Sequence, residues 1–184
     1  MKESLMEKSV TFRDLIKERG LPVPKNLTDI DTFLVSKQCI LQKDATGDKQ
    51  LIGFANAYSE AKDFALNKEN LDSLSADKIE DLVLGWGEMI EEQNKTGYRI
   101  TPVYFADFSN AVDASLVPGS LQTIYNLFLE GFMDPVEFYT QFEKIHPFKD
   151  GNGRVGDLLW KLAVTKTTGK WPDDVPPDVF AKKE

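Results

Sequence analysis

Two helical patterns near the end of the chain are separated by nine residues, "HPFKDGNGR" (146–154), and this junction constrains the fold more than any other stretch. The first pattern, "DPVEFYTQFEKI", has a well-marked start. Asp134 can cap it, Pro135 fits the first helical position, and Glu137 completes a capping-box pattern. Phe138, Phe142 and Ile145 recur at helical spacing. Pro147 disfavours helix in the residue before it, so the helix is expected to end at or just before His146, with His146 extended. The second pattern, "RVGDLLWKLAVTKTTGK", has Leu158, Leu159, Leu162 and Ala163 as its expected buried face. The chain must therefore place the junction against a helical core at both ends.

The rest of the chain reads as helical up to residue 97. A short helix is expected in "VTFRDLIKERG", with Val10, Leu15 and Ile16, ending at Gly20. "LPVPKN" is an extended connector. Asp29 or Asp31 is expected to cap a helix carrying Phe33, Leu34, Ile40 and Leu41, and "KDATGDK" to turn it. A helix through "LIGFANAYSEAKDFALNK" follows, then a loop in "LDSLSADK". Asp77 with Glu80 resembles a capping box opening "IEDLVLGWGEMIEEQN". "TGYRITPVYFADFSNAVDASLVPGS" lacks helical period, and a short strand or hairpin is expected around Tyr98 to Phe108. "LQTIYNLFLEGF" is a helix ending near Gly131, and the proline-rich tail (170–184) is expected to lie along the surface or fray.

Composition removes several function classes. The 184 residues suit a single domain, and 41% hydrophobic content supplies a core. A formal net charge of -8 with no basic tract argues against nucleic acid and against anionic membrane surfaces. The single cysteine, Cys39, allows no intrachain disulfide. The first ten residues lack the apolar core of a signal peptide, and no run reaches the roughly 18 apolar residues of a membrane span, so a cytoplasmic protein is expected, in its own cell or in a host cell.

The junction's chemistry follows from its context. The first N–H groups of a helix lack intrahelical partners and carry partial positive charge. A glycine loop leading into them can wrap an anion, with Gly151 and Gly153 allowing close backbone approach. Arg154 is a cation in a first helical turn, where the helix dipole disfavours it and a bound phosphate would favour it. Asn152 can donate to a phosphate oxygen or brace the loop. Asp150 is a hard oxygen ligand beside that site, suited to Mg²⁺ shared with substrate phosphates. His146, the only histidine, can serve as a general base near neutral pH. Phe148 is expected in the core as a structural support. A lone histidine at a helix end is more often a cap, "DGNG" is more often a turn, and a lone arginine is usually solvated. Together between two apolar helices they describe transfer of a phosphate-containing group to a hydroxyl.

These nine residues match the signature of the Fic family, written HPF-x-[D/E]-GN-[G/K]-R, at every position. "TGYRI" resembles the Gly-aromatic-Arg segment that opens the family's flap. The resemblance is clearest over 98–166, with 1–97 as a helical N-terminal part, and implies one Fic-type domain over 1–184: all-α, with a small β-hairpin flap. It implies transfer of a nucleoside monophosphate, commonly AMP from ATP, to a Ser, Thr or Tyr hydroxyl of a target protein. His146 would deprotonate the hydroxyl, Asp150 would hold Mg²⁺, and Gly151, Asn152, Gly153 and Arg154 would cradle the phosphates. Thr101, Val103 and Tyr104 would dock the target as an added strand.

Two departures stand out. The family pattern often continues GNGR-x-x-R, where the second arginine clamps the γ-phosphate; this chain has Asp157. Asp157 is expected either to repel a triphosphate tail or to form a surface ion pair with Arg154 or Lys161. The inhibitory pattern [S/T]-x-x-x-E-[G/N] is also unmatched: "ALNKEN" begins at Ala65 and "NLFLEG" at Asn126. Inhibition would then fall to a separate partner. Two alternatives remain: a protein kinase of the Doc branch, which also lacks the second arginine, or a non-enzymatic binding module on the same fold.

Overall fold

The computed structural model describes residues 13–42, 45–105 and 109–180. Val10, Lys43, Asp44 and Phe108 lie outside these residues, with the expectations attached to them. Among the described residues the architecture is helical, and no helix is long and apolar enough to cross a membrane.

α1 (Leu15–Glu18) is capped by Asp14. α2 (Asp29–Leu41) is capped by Thr28, not by Asp29 or Asp31. Thr28 Oγ1 accepts from Asp31 N at 3.2 Å, and Asp31 Oδ2 accepts from Thr28 N at 2.8 Å. A reciprocal box satisfies two backbone donors, whereas an Asp29 cap would satisfy one. Leu34 is buried on α2, but Leu41 is exposed. α3 (Asp48–Leu66) starts three residues before "LIGF". α4 (Lys68–Asp72) occupies part of the expected loop. α5 (Ala76–Ile90) is capped by Ser75, whose hydroxyl accepts from Lys78 N at 3.1 Å, so the expected Asp77 and Glu80 box does not form. Glu92–Thr96 is a 3-10 turn rather than the end of α5.

α6 (Val117–Leu129) starts earlier than expected because Pro118 fits its first turn. α7 (Pro135–Ile145) is capped as expected, Asp134 Oδ1 accepting from Val136 N and Glu137 N at 2.8 Å each. α8 (Asn152–Thr168) packs against α7, α3 and α5. Leu158, Leu159, Leu162 and Ala163 are buried, but so are Arg154, Asp157 and Lys161. A helix buried on every side is usually apolar throughout. Here its polar face must be paired inside the protein.

Two glycines fix close approaches around α5. A Cβ at Gly53 of α3 would stand 2.2 Å from the Met89 carbonyl oxygen, and one at Gly87 would stand 2.6 Å from the Phe148 ring. Among the described residues of the expected hairpin, one antiparallel bridge joins Tyr104 to Asn110. Phe105 N donates to Ser109 O at 2.9 Å, and Ala111 N to Val103 O at 3.0 Å. The tail does not lie loose: through Phe180 it folds back over the helices, with Trp171 stacked edge-on against buried Tyr58 at 5.4 Å and Pro176 buried.

Candidate functional site

His146 ends α7, and its backbone is left-handed, with φ 54° and ψ 63°, rather than extended. Among the described residues it is the one non-glycine with positive φ. That conformation costs an L-residue about 1–2 kcal/mol, and Arg99 offsets it. The Arg99 guanidinium, 3% exposed, donates through Nε to His146 O at 2.6 Å and through Nη2 to Ile145 O at 3.1 Å. It also donates to Thr101 O at 3.0 Å and to Val112 O, and Arg99 N donates to Pro147 O at 2.8 Å. One cation thus sits on the negative end of α7 and ties both arms of the flap to it. "TGYRI" marked the flap, but nothing in its spacing announced this capping role.

The imidazole is oriented by its own helix. His146 Nδ1 lies 3.3 Å from Glu143 O, a carbonyl that can only accept, so this contact is made by a protonated Nδ1. The Phe105 ring meets the imidazole edge-on at 5.3 Å. Glu143 itself is buried, and burial pushes its carboxyl up to about 8.

The loop after His146 holds its own shape. Phe148 is fully buried against Gly87 and Tyr98. Asn152 braces the loop at both ends of its amide: Oδ1 accepts from Phe148 N at 2.8 Å and Nδ2 donates to Phe148 O at 2.9 Å. Gly151 caps α8 with φ 81°, and a Cβ there would also stand 3.0 Å from Ile90 Cγ2. At Gly153 the neighbour is Gln42, whose Oε1 would lie 2.1 Å from a Cβ. Asn94 joins the loop to α5, donating to Asp150 O at 2.9 Å and Gly87 O at 3.2 Å.

Arg154 is 1% exposed in the first turn of α8. Its Nη2 donates to Glu91 Oε1 at 2.6 Å, and Gln50 holds the same oxygen at 2.8 Å. Its Nε and Nη1 are buried with no hydrogen-bond partner. Buried donors left unpaired cost on the order of 1–3 kcal/mol each, more for charged groups, so this side chain is built for a further acceptor. Asp150, its side chain 57% exposed, accepts from Gly151 N at 2.7 Å and stands 3.8 Å from Arg154 Nη2. Among the described residues no group of three His, Cys, Asp or Glu could hold a metal by itself. One exposed carboxylate beside the Arg154 guanidinium fits a divalent ion that arrives with a phosphate.

Asp157 forms the expected i,i+4 pair with Lys161, but not at the surface. It is fully buried, and its Oδ1 accepts from Lys161 Nζ at 2.7 Å, with Lys161 equally buried. The pair is internal rather than superficial. Burial pushes the Asp157 carboxyl up while the Lys161 ammonium opposes that shift. Cys39 is buried nearby, and burial pushes its thiol up to about 12, which leaves it a poor nucleophile. Hollows of about 300 and 390 Å³ lie around Lys166 at the other end of α8, and neither is lined by a residue of the nine-residue junction.

Residues 90–163 match the sequence model of the Fic/DOC family. No curated protein matches the chain. Among solved structures, the Fic-1 fragment from C. elegans is 21% identical with a TM-score of 0.54, covering 91% of this chain and 50% of that one. A Fic-domain-containing signaling protein from Bacteroides thetaiotaomicron is 19% identical with a TM-score of 0.51, covering 78% and 58%. The chain therefore spans about half the length of the structures it resembles. Proteins of the matched family generally transfer a nucleotide or another phosphate-containing group to a target. Residues 90–163 thus resemble the Fic/DOC family, and the chain carries them on a mostly helical Fic-type fold.

Proposed function

We propose that the protein transfers a nucleoside monophosphate, AMP from ATP, to a Ser, Thr or Tyr hydroxyl of a target protein. The observation that carries this reading is the pair of buried, unpartnered Arg154 donors in the first turn of α8, directly after a glycine loop. A phosphate is the acceptor whose charge and geometry suit a guanidinium and helix N–H groups together.

In this reading His146 Nε2 takes the proton of the target hydroxyl, and the hydroxyl oxygen attacks the α-phosphorus. The bond to the bridging oxygen breaks and pyrophosphate leaves. Arg154 and the α8 N-terminus neutralise charge on the phosphates, while Asn152 keeps the loop in shape for them. Asp150 would hold Mg²⁺, whose contribution when bound is to screen the phosphate charge. The flap at Thr101, Val103 and Tyr104 would align the target backbone beside His146. The antiparallel bridge from Tyr104 to Asn110 supports reading this segment as strand-like.

One observation favours a second reading. The position where the family's second arginine would clamp the γ-phosphate holds a sealed Asp157 and Lys161 pair, which offers no clamp. A donor seated differently, transferring a phosphoryl group alone, is then the alternative. Incubation with Mg²⁺, each nucleoside triphosphate and a cell lysate, followed by intact mass analysis, separates the two. A nucleoside monophosphate increment on a target or on the protein itself is expected. A phosphate increment selects the second reading, and no increment with any donor overturns both.

A further inference from the structure

The tail from Gly169 to Phe180 is held by unusual means for a surface segment. Lys161, fully buried, donates to Asp174 O at 2.5 Å as well as to Asp157. Its ammonium also lies 5.2 Å from the Trp160 ring centre and 5.6 Å from that of Tyr58. Trp171 Nε1 donates to the Tyr58 hydroxyl at 3.3 Å. Burying a lysine and an aspartate is expensive, and an apolar pair of similar volume would hold the core as well. What the ion pair adds is direction: a fixed ammonium that grips one carbonyl of the tail.

Beyond that grip the tail turns toward the flap. Burial first, and then the carboxylates of Glu143, Asp157 and Asp178, push the Tyr139 phenol up. Phe180 N donates to Asp178 Oδ1 at 3.0 Å. The Phe180 ring then meets Phe105 at 5.5 Å, and Phe105 meets the His146 imidazole at 5.3 Å. Phe180 remains 53% exposed, so it is not a core residue; it is an aromatic laid on the flap from outside.

We propose that residues 169–180 are part of the site: a strap, fastened by the buried Asp157 and Lys161 pair, that carries Phe180 onto Phe105 and covers the flap side of His146. Asp157, Lys161 and Phe180 are then positioning residues. A target strand docking on the flap must share that side with Phe180 or move it. This last consequence rests on the reading of His146 as the base; the cover itself does not.

The only histidine in the chain makes the test a one-site measurement. Diethyl pyrocarbonate acylates accessible imidazoles, and the rate at His146 is read by mass spectrometry, with His146→Ala as the site control and no nucleotide present. Phe180→Ala is expected to raise that rate about threefold or more, because local opening governs the reactivity of a covered group. Asp157→Leu combined with Lys161→Met replaces the pair by apolar groups, which preserves packing while releasing Asp174, and is expected to do the same. Thermal melting and circular dichroism check that both variants fold. A wild-type rate in folded Phe180→Ala overturns the cover. A raised rate there with a wild-type rate in the folded double variant overturns the fastening. If the double variant fails to fold, Phe180→Ala decides alone. Raised rates in a protein that transfers no nucleotide would leave the strap standing and remove the transferase reading.

Discussion

The loop from His146 to Arg154 and the flap from Gly97 to Asp113 meet at His146, yet they are held in opposite ways. The loop is bound mainly from within: the Asn152 amide closes on both backbone groups of Phe148, and Phe148 plugs the core. Among its described residues the flap has one antiparallel bridge, and only Tyr98 and Val112 at its two ends pack against the core. It depends on Arg99, which reaches two of its carbonyls and two of α7. A phosphate cradle needs fixed donors, because preorganisation supplies the electrostatic gain. In the proposed reading the flap receives an extended target segment, which needs a backbone edge for main-chain pairing.

Variants can break this contrast, beginning where the two regions join. His146→Ala should lower group transfer by about 10² to 10⁴, with a melting temperature no lower than wild type. Turnover at the wild-type level would remove His146 from the chemistry. Arg99→Ala should come next, costing about 3 kcal/mol through the loss of charged hydrogen bonds and the carbonyls left unpaired. Amide exchange at Phe105 and Ala111 should accelerate more than exchange within α8. Uniform acceleration would mean that Arg99 supports the whole fold rather than the flap. Asn152→Ala should cost about 1–3 kcal/mol and loosen the Phe148 amide. If urea denaturation showed no loss, the loop would not be self-held and the contrast would fail.

A pH-dependent effect concerns Glu143, on the helix that both regions share. Burial raises its carboxyl from 4.5 to about 8, so the folded chain keeps a proton that the unfolded chain releases. Its contribution to stability is full below about 4.5 and is lost as pH rises through about 8. Between those values stability should fall by up to about 1.4 kcal/mol per pH unit from this group. Glu143→Gln should flatten that slope in melting curves taken across the window. An unchanged slope would mean the carboxyl is ionised and paired at neutral pH.

Much of this arrangement was legible in the sequence, for identifiable reasons. Asp134, Pro135 and Glu137 agree on one helix start, and the structure uses it. Leu158, Leu159, Leu162 and Ala163 mark a buried face because apolar spacing has a single helical solution. The caps of α2 and α5 were misassigned because several acceptors stand side by side. Thr28 prevails over Asp29 and Asp31 through a reciprocal bond, and Ser75 prevails over Asp77 by lying outside the helix. Proline preference misled at His146, where Arg99 bonds to Ile145 O and His146 O and supports a left-handed turn. Arg99 reaches residues 13 to 47 positions away, which no local pattern records. Asp157 and Lys161 read as surface charges because four-residue spacing is common on solvated helices. Their burial follows from α8 being wrapped on all sides, a property of the assembled fold.

The left-handed backbone at residue 146 sets two selective pressures against each other. The fold alone would favour glycine there, since glycine adopts positive φ without a steric penalty. Histidine at that position is tolerated against a standing disadvantage on every molecule synthesised. His146→Gly should therefore melt at a higher temperature than His146→Ala, and the gap measures what the lineage forgoes to keep an imidazole at the end of α7. Under the proposed transferase reading, a descendant released from that chemistry would have an immediate, stabilising first substitution available at this position, so the loss of activity would leave a recognisable scar: an intact loop from Pro147 to Arg154 preceded by glycine.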